Sequence, residues 1–96
     1  MKAQLLSPRA RTDLDEIWEY TADKWNAEQA DNYIREIWKT IELIGDRPGI
    51  GRSCDEIRQG YFKFPVGSHV MFYKKAQMHI TVVRIVHRRM DFDSHL

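Results

Sequence analysis

The chain has 96 residues, of which 43% are hydrophobic and 30% are charged, so we expect a folded domain with its own core, not a disordered segment. Its only cysteine, Cys54, cannot form an internal disulfide, which argues against the small secreted proteins that disulfides stabilise. No apolar segment at the N-terminus has the form of a signal peptide or the length of a membrane span. The sequence therefore predicts one cytoplasmic domain over residues 1–96, without a membrane partner.

Charge is distributed unevenly along the chain, although the net charge is only +1. Residues 1–57 contain eight Lys or Arg against twelve Asp or Glu, a balance of −4, whereas residues 58–96 contain seven against two, a balance of +5. A basic segment of this kind is a candidate surface for an anionic partner. No helix carries the exposed Arg and Asn pattern of a recognition helix, so direct sequence-specific binding of nucleic acid is not predicted.

The first half of the chain predicts a short strand and two helices. Residues 2–6 are the strand, and Ser7 with Pro8 is a helix cap followed by proline at the first helical position. A second helix begins after Asn26, a capping residue, and ends near Gly45, a natural helix stop. The short link between the helices predicts an antiparallel hairpin. Its apolar stripes contain three large aromatic residues that we expect in the core: Trp18, Trp25 and Trp38.

The second half predicts a loop over residues 46–57 and then three strands. The strands are expected over residues 58–64, 68–74 and 79–87, joined by tight turns into an antiparallel meander. The last strand has apolar residues on both faces, which is typical of a central strand covered on both sides. The helical hairpin covers one face only, so part of the second face is expected to be open to a partner. The predicted fold class is α+β, in the order β-α-α-β-β-β, with the hairpin packed on an antiparallel sheet.

Residues that often carry chemistry do not occur at diagnostic spacings. The histidines and Cys54 have no zinc-ligand spacing, and no serine stands in a nucleophile elbow, so no metal, cofactor or catalytic residue is predicted. A ribonuclease would need a base, an acid and cations for the developing phosphorane charge. The alternative is structural, with Arg84 paired to a carboxylate and His87 ending a strand. The residues that could serve a ribonuclease are His87, Arg84, Arg88, Arg58, Lys63 and Tyr73.

Three segments of the second half, residues 51–61, 63–73 and 84–91, resemble the ParE family within the ParE/RelE superfamily of toxins. The most specific strings are Gly-Ser-His-x-x-Phe-Tyr, which begins at Gly67, and Arg-Ile-x-His-x-x-Met-Asp, which begins at Arg84. The helix pattern around Leu6-Ser7-Pro8 and in residues 25–30 is also similar to that family. The resemblance covers essentially the whole chain.

The resemblance implies a helical hairpin packed on an antiparallel sheet. It also implies the toxin of a type II toxin–antitoxin system that poisons DNA gyrase, blocks replication and is neutralised in a hetero-oligomer with a ParD-like antitoxin. Relatives of the RelE type instead cut messenger RNA on the ribosome, with Lys- and Arg-rich sites and a C-terminal Tyr. The segment after the last strand has no Tyr and contains Met90-Asp91, as the ParE side does. We therefore expect a binding toxin and not an enzyme, with a RelE-like ribosome-dependent endoribonuclease as the alternative.

Two groups of site residues follow as hypotheses. An acidic and apolar antitoxin segment that folds as it binds is expected in a groove formed by Arg58, Tyr61, Lys63 and Arg84. The C-terminal end of the chain is expected to face gyrase. The residues of this second group are His87, Arg88, Arg89, Met90, Asp91, His95 and Leu96.

Overall fold

The computed structural model of the chain describes residues 3–89. Helix α1 (Pro8–Lys24) begins at Ser7, whose hydroxyl accepts a hydrogen bond of 3.0 Å from the Ala10 N–H. Helix α2 (Ala27–Asp46) begins at Asn26, whose side-chain oxygen accepts one of 2.8 Å from the Gln29 N–H. Each cap satisfies an N–H that has no partner inside its helix, and both predicted helix starts are confirmed.

Five strands form one sheet in the order β1-β5-β4-β3-β2. The strands are β1 (Ala3–Leu6), β2 (Arg52–Ser53), β3 (Tyr61–Val66), β4 (His69–Lys75) and β5 (His79–His87). Strands β2 to β5 are antiparallel neighbours, so the predicted meander is confirmed. Strand β1 runs parallel to β5, and the sheet is mixed, not antiparallel throughout. A parallel neighbour needs a long crossover connection, which the two helices and the meander provide.

The boundaries of β3 differ from the prediction because glycines set its ends. Gly60 has a φ of +81° and ends the turn before the strand, so β3 starts at Tyr61 and not at Arg58. Gly67 has a φ of +55° and forms the next turn, so the strand continues through Val66. Positive φ is a conformation that glycine adopts without the steric cost of a Cβ. Strand β5 spans its predicted residues, and β2 is too short for an alternating pattern to show.

The main core lies between the helices and one face of the sheet. Its helical side is formed by the apolar stripes of α1 and α2, and its sheet side by alternate residues of β3, β4 and β5. This is the arrangement that the helical and strand periodicities predict. The residues with no exposed surface in this core include Ala10, Ile37, Ile41, Ile44, Met71, Tyr73, Ile80 and Val82.

A smaller cluster lies on the second face of the sheet. Cys54, Phe72 and Val86 are buried there, and Ile57 and Tyr61 pack against them. The loop that follows β2 therefore covers the middle of this face. The sequence pattern predicted that part of this face would be open to a partner. The thiol of Cys54 is in apolar surroundings, and burial raises its pKa.

The tryptophans are not core residues, and that prediction was wrong. Trp18, Trp25 and Trp38 are 36%, 66% and 41% exposed. The fully buried residues of the helices are small or aliphatic, such as Ala30 and Ile37, whereas the large rings stay partly exposed. The indole N–H of Trp18 donates a 2.9 Å hydrogen bond to Asp31 on α2. Neither helix within residues 3–89 is long and apolar enough to cross a membrane.

Candidate functional site

A buried ion pair joins α1 to β5. Asp13, with 4% of its side chain exposed, accepts hydrogen bonds from Arg84 Nε at 2.9 Å and Nη2 at 3.2 Å. Its Oδ2 also accepts the backbone N–H of Ile85 at 2.9 Å. Three donors therefore compensate the cost of burying the carboxylate. Arg84 is therefore paired with a carboxylate, which was the alternative to a ribonuclease role for this residue.

Asp13 is a residue that the sequence reasoning missed as a site. However, it lies three residues after Ala10 and four before Ile17, both of which are buried. Residues at these spacings share one helix face, so the position of Asp13 among apolar neighbours was the available signal.

A groove runs beside this ion pair, between α1 and the C-terminal part of β5, and we call it the α1–β5 groove. Its volume is about 410 Å³. Its floor is partly apolar, and charged and aromatic side chains stand around it. The residues that line it are Arg9, Asp13, Glu16, Ile17, Tyr20, His69, Arg84, Ile85, Val86 and His87.

Two histidines meet at one end of this groove. The ring centres of His69 and His87 are 5.5 Å apart, and the Tyr33 hydroxyl lies 2.7 Å from His69 Nδ1. The same hydroxyl accepts the Ser68 N–H at 3.0 Å. Burial, followed by the charge of His87, lowers the pKa of His69 to about 4, and Asp13 opposes this shift. His69 is therefore neutral at pH 7, and a neutral ring can accept the Tyr33 proton at Nδ1.

Three of the four residues predicted to bind the antitoxin lie near one another. The guanidinium of Arg58 is 6.0 Å from the centre of the Tyr61 ring. Lys63 is two residues from Tyr61 on the same face of β3, which is the face away from the helices. Arg84 is set apart, because its guanidinium turns toward α1 to meet Asp13. Binding of an antitoxin by these residues stays a prediction.

The group predicted to face gyrase begins at the end of β5. His87 is the last residue of the strand, and its Nδ1 accepts the Arg89 N–H at 3.2 Å. The Arg88 N–H donates to the Ser68 carbonyl at 3.0 Å, which holds the start of this segment against the β3–β4 turn. The remaining members of the group, Met90, Asp91, His95 and Leu96, lie outside the described residues.

The residues considered for RNA cleavage do not converge within the described part of the chain. His87 and Arg84 line the α1–β5 groove, whereas Lys63 lines a separate cavity with Arg52. The Tyr73 hydroxyl is inside the core, where it donates to the Pro48 carbonyl at 2.8 Å and accepts the Gly51 N–H at 2.9 Å. Burial raises the pKa of Tyr73. Among residues 3–89, no three His, Cys, Asp or Glu side chains form a group that could hold a metal ion.

Charge is separated between the helices and the sheet. The helices α1 and α2 contain ten of the fourteen Asp and Glu residues. The five described strands contain no Asp or Glu. Their basic residues are Arg52, Lys63, Lys74, Lys75 and Arg84.

Comparison with known proteins gives the family. Residues 5–92 match the family model of the ParE toxin of type II toxin–antitoxin systems, parDE. Toxin ParE1 from Mycobacterium tuberculosis (strain H37Rv) is 48% identical over 93 residues, which cover 96% of this chain and 95% of that protein. The chain belongs to the ParE toxin family. Another member, Toxin ParE1 from Caulobacter vibrioides, is 42% identical over 96 residues, covering 100% of this chain and 99% of that one.

Two solved structures show the same fold as this ParE family chain. The chromosomal ParDE toxin–antitoxin system from P. aeruginosa contains a chain that superposes with a TM-score of 0.80 at 16% identity, covering 91% of this chain and 96% of that one. A chain of the YoeB–YefM complex from Staphylococcus aureus superposes with a TM-score of 0.58 at 19% identity, covering 92% and 98%. The predicted family and the RelE/ParE-like fold are confirmed.

Proposed function

We propose that this ParE family chain poisons DNA gyrase by binding it, without catalysing a reaction, and that a ParD-like antitoxin neutralises it in a hetero-oligomer. The observation that carries the proposal is the match to the ParE toxin family over residues 5–92. The relatives from M. tuberculosis and C. vibrioides are named toxins, and the P. aeruginosa structure is of a ParDE system. Action on gyrase also implies that the protein works in the cytoplasm.

The state of the polar side chains supports binding over catalysis. Arg84 is neutralised by Asp13, so it is poorly placed to stabilise a phosphorane. His69 is neutral and held by Tyr33, so it is a poor general acid at pH 7. His87 uses Nδ1 to accept a backbone N–H. These contacts give Arg84, His69 and His87 structural roles that do not require catalysis.

The charge separation supports an acidic antitoxin segment on the face of the sheet away from the helices. Arg52 stands directly opposite Lys63 across the β2–β3 pair. Like charges at directly opposite positions destabilise a sheet, and an anionic partner would relieve that repulsion. Lys74, directly opposite Tyr61, adds a third cation to this face.

A gyrase supercoiling and DNA cleavage assay, with and without the purified antitoxin, tests the proposal. We expect the wild-type chain to abolish supercoiling and accumulate cleaved DNA, and the antitoxin to reverse both effects. The double substitution Arg88→Glu and Arg89→Glu should raise the concentration needed for inhibition by tenfold or more. Lys39→Glu, an exposed cation on α2, is the matched control and should leave inhibition within twofold of wild type.

A different result would redirect the assignment. Unaffected gyrase, in the presence of folded protein that stops translation and cleaves ribosome-bound RNA, would contradict gyrase poisoning and favour the RelE-like activity. In that case His87→Ala should abolish cleavage while the circular dichroism spectrum stays unchanged.

A further inference from the structure

Two histidines stand directly opposite each other where β4 begins and β5 ends. His69 is the first residue of β4 and pairs with His87, the last residue of β5. The next pair is joined by the hydrogen bond from the Arg88 N–H to the Ser68 carbonyl. Hydrogen-bonded and non-hydrogen-bonded pairs alternate in an antiparallel ladder, so His69 and His87 form a non-hydrogen-bonded pair. Side chains approach most closely at such pairs, where the Cα atoms are about 4.5 Å apart.

Both imidazole rings are on the side of the sheet that faces the helices. Met71 and Ile85, each two residues from one of the histidines along its strand, belong to the main core on that side. The two rings line the α1–β5 groove, and both histidines are only partly buried. An ion from solvent can therefore reach the rings through the groove.

The spacing of the rings fits a transition-metal ion bound between them. Their centres are 5.5 Å apart, and their planes are inclined at 74°. Zinc binds an imidazole nitrogen at about 2.0–2.1 Å, which places the ion about 3.2 Å from the ring centre. Two rings at a tetrahedral angle around one ion then have centres about 5.2 Å apart. Because the observed distance is so close to this value, rotation of the side chains is enough to bring both rings to one ion, and the strands need not move.

The hydrogen bonds of His69 are compatible with coordination through Nε2. Its Nδ1 lies 2.7 Å from the Tyr33 hydroxyl, and that hydroxyl lies 3.3 Å from the Val66 carbonyl. When Nε2 binds a metal, Nδ1 carries the proton and donates it to the Tyr33 oxygen, and Tyr33 donates to Val66. A histidine ligand usually has such a partner on its other nitrogen, which fixes its tautomer and its orientation.

His87 can coordinate through Nε2 at a small cost. Its Nδ1 accepts the Arg89 N–H at 3.2 Å. Coordination through Nε2 places a proton on Nδ1, so this bond is lost. Arg89 is exposed, and water can accept its N–H instead. The cost is therefore one exposed hydrogen bond.

We propose that His69 and His87 bind one zinc ion through their Nε2 atoms, with water in the remaining coordination positions. Imidazole nitrogen suits zinc, copper and nickel ions, whereas magnesium and calcium take oxygen ligands. A site with two protein ligands agrees with the finding that no three His, Cys, Asp or Glu side chains of residues 3–89 form a metal-binding group. It holds zinc more weakly than a structural site with four protein ligands, and the ion is exchangeable. The site requires neither gyrase nor an antitoxin.

Calorimetry with zinc chloride tests the proposal on chain that carries no histidine tag and has been treated with a chelator. We expect one zinc ion to bind per chain at about pH 7.5, and magnesium chloride to give no binding. His87→Gln and His69→Asn should each weaken zinc binding by about tenfold or more, because each removes one of two ligands. His79→Ala, at the other end of β5, is the matched control and should stay within about twofold of wild type. No zinc binding by the folded wild-type chain would overturn the proposal, and so would equal affinities of wild type and His87→Gln.

Nitrogen NMR of the imidazole rings gives an independent measurement on the wild-type chain, so it does not depend on the folding of a variant. Zinc should shift the Nε2 resonances of His69 and His87 together, at the same zinc concentration, and leave both rings protonated at Nδ1. The ring of His79 should not change. Zinc-dependent shifts at His79 or His95 without shifts at His69 and His87 would overturn the proposal, because the ion would then bind elsewhere.

Discussion

At the scale of single residues, Asp13 is the buried charge on which the contact between α1 and β5 depends. Its removal in Asp13→Ala would leave Arg84, 12% exposed, without its carboxylate and the Ile85 N–H without an acceptor. Breaking a buried pair in this way typically costs about 3–5 kcal/mol, and we expect a loss of that size in urea unfolding. Asp13→Asn should cost less, because its amide oxygen can still accept the Ile85 N–H.

Asp15 provides the control for this prediction. It is an exposed carboxylate on the same helix, and exposed substitutions usually change stability by within about 0.5 kcal/mol. Equal losses for Asp13→Ala and Asp15→Ala would show that the buried ion pair does not stabilise the fold.

His69 should make stability depend on pH. Its pKa is about 4 in the folded chain, below the ordinary value of 6.5, so the unfolded chain takes up the proton first as the pH falls. The contribution of His69 to the free energy of unfolding should therefore be constant above about pH 7. It should decrease as the pH falls from about 6.5 to about 4. Allowing for partial solvent screening, we expect a decrease of roughly 1–2 kcal/mol.

The measurement is urea unfolding of wild type and His69→Asn at pH 7 and pH 5. The two proteins are identical at every other position, so the difference between the two pH dependences isolates His69. Asparagine can still accept a hydrogen bond from Tyr33 and does not titrate. Parallel pH dependences of the two proteins would contradict the prediction.

At the scale of elements, the β3–β4 hairpin is held to α2 by Tyr33. The hydroxyl of this residue contacts Ser68, His69 and Val66, and a Cβ at Gly67 would lie 2.6 Å from its ring. Gly67→Ala therefore combines strain at a positive φ with displacement of a ring that three contacts hold. We expect a total loss of about 2–4 kcal/mol in the free energy of unfolding, measured in thermal or urea unfolding. This total is larger than the roughly 1–2 kcal/mol that a non-glycine residue in the left-handed conformation costs by itself.

Gly60 provides the matched control, because it directly precedes β3 and, like Gly67, has a positive φ. It has a φ of +81°, but a Cβ there meets nothing within 4 Å. Gly60→Ala should therefore show the conformational cost alone, about 1–2 kcal/mol. If Gly67→Ala cost no more than Gly60→Ala, the contact with Tyr33 would be irrelevant to stability.

The loop between α2 and β2 is tied to the sheet by a buried hydroxyl. Tyr73 bonds to the Pro48 carbonyl and the Gly51 N–H. Tyr73→Phe keeps the ring and leaves these two backbone groups without that partner, at an expected cost of about 1–3 kcal/mol in urea unfolding. Tyr61→Phe, on the second face, should change stability by under about 0.5 kcal/mol. A loss for Tyr73→Phe as small as that for Tyr61→Phe would contradict this account.

At the scale of the whole molecule, the sheet is basic and the helices are acidic. A molecule with this charge separation should orient an acidic antitoxin during approach, and salt should weaken that effect. We expect the association rate, measured by stopped flow, to fall by tenfold or more between 50 and 300 mM salt (on the order of the changes seen for steered association). Lys63→Gln should reduce the slope of this dependence, whereas Lys39→Gln on α2 should leave it unchanged. Equal slopes for the two variants would place the steering charge elsewhere.

The sequence by itself determined the local elements. Ser7 and Asn26 start the two helices because their side chains accept N–H groups three residues further on, and this depends only on neighbouring residues. The bounds of β5 followed from its run of β-branched residues between turn signals. The family was also visible in the sequence, because its motifs are continuous strings.

Only the tertiary structure decided what depends on residues far apart in the chain. Three such contacts join distant segments. Strand β1 pairs in parallel with β5, Asp13 is buried against Arg84, and the loop around Ile57 covers part of the second face of the sheet. The tryptophans also show what local pattern leaves open. A helical stripe determines which side of the helix a residue lies on, but not how deeply its side chain is buried. Whether a ring at the margin of a stripe is covered depends on how closely the next element approaches, and no local pattern contains that distance.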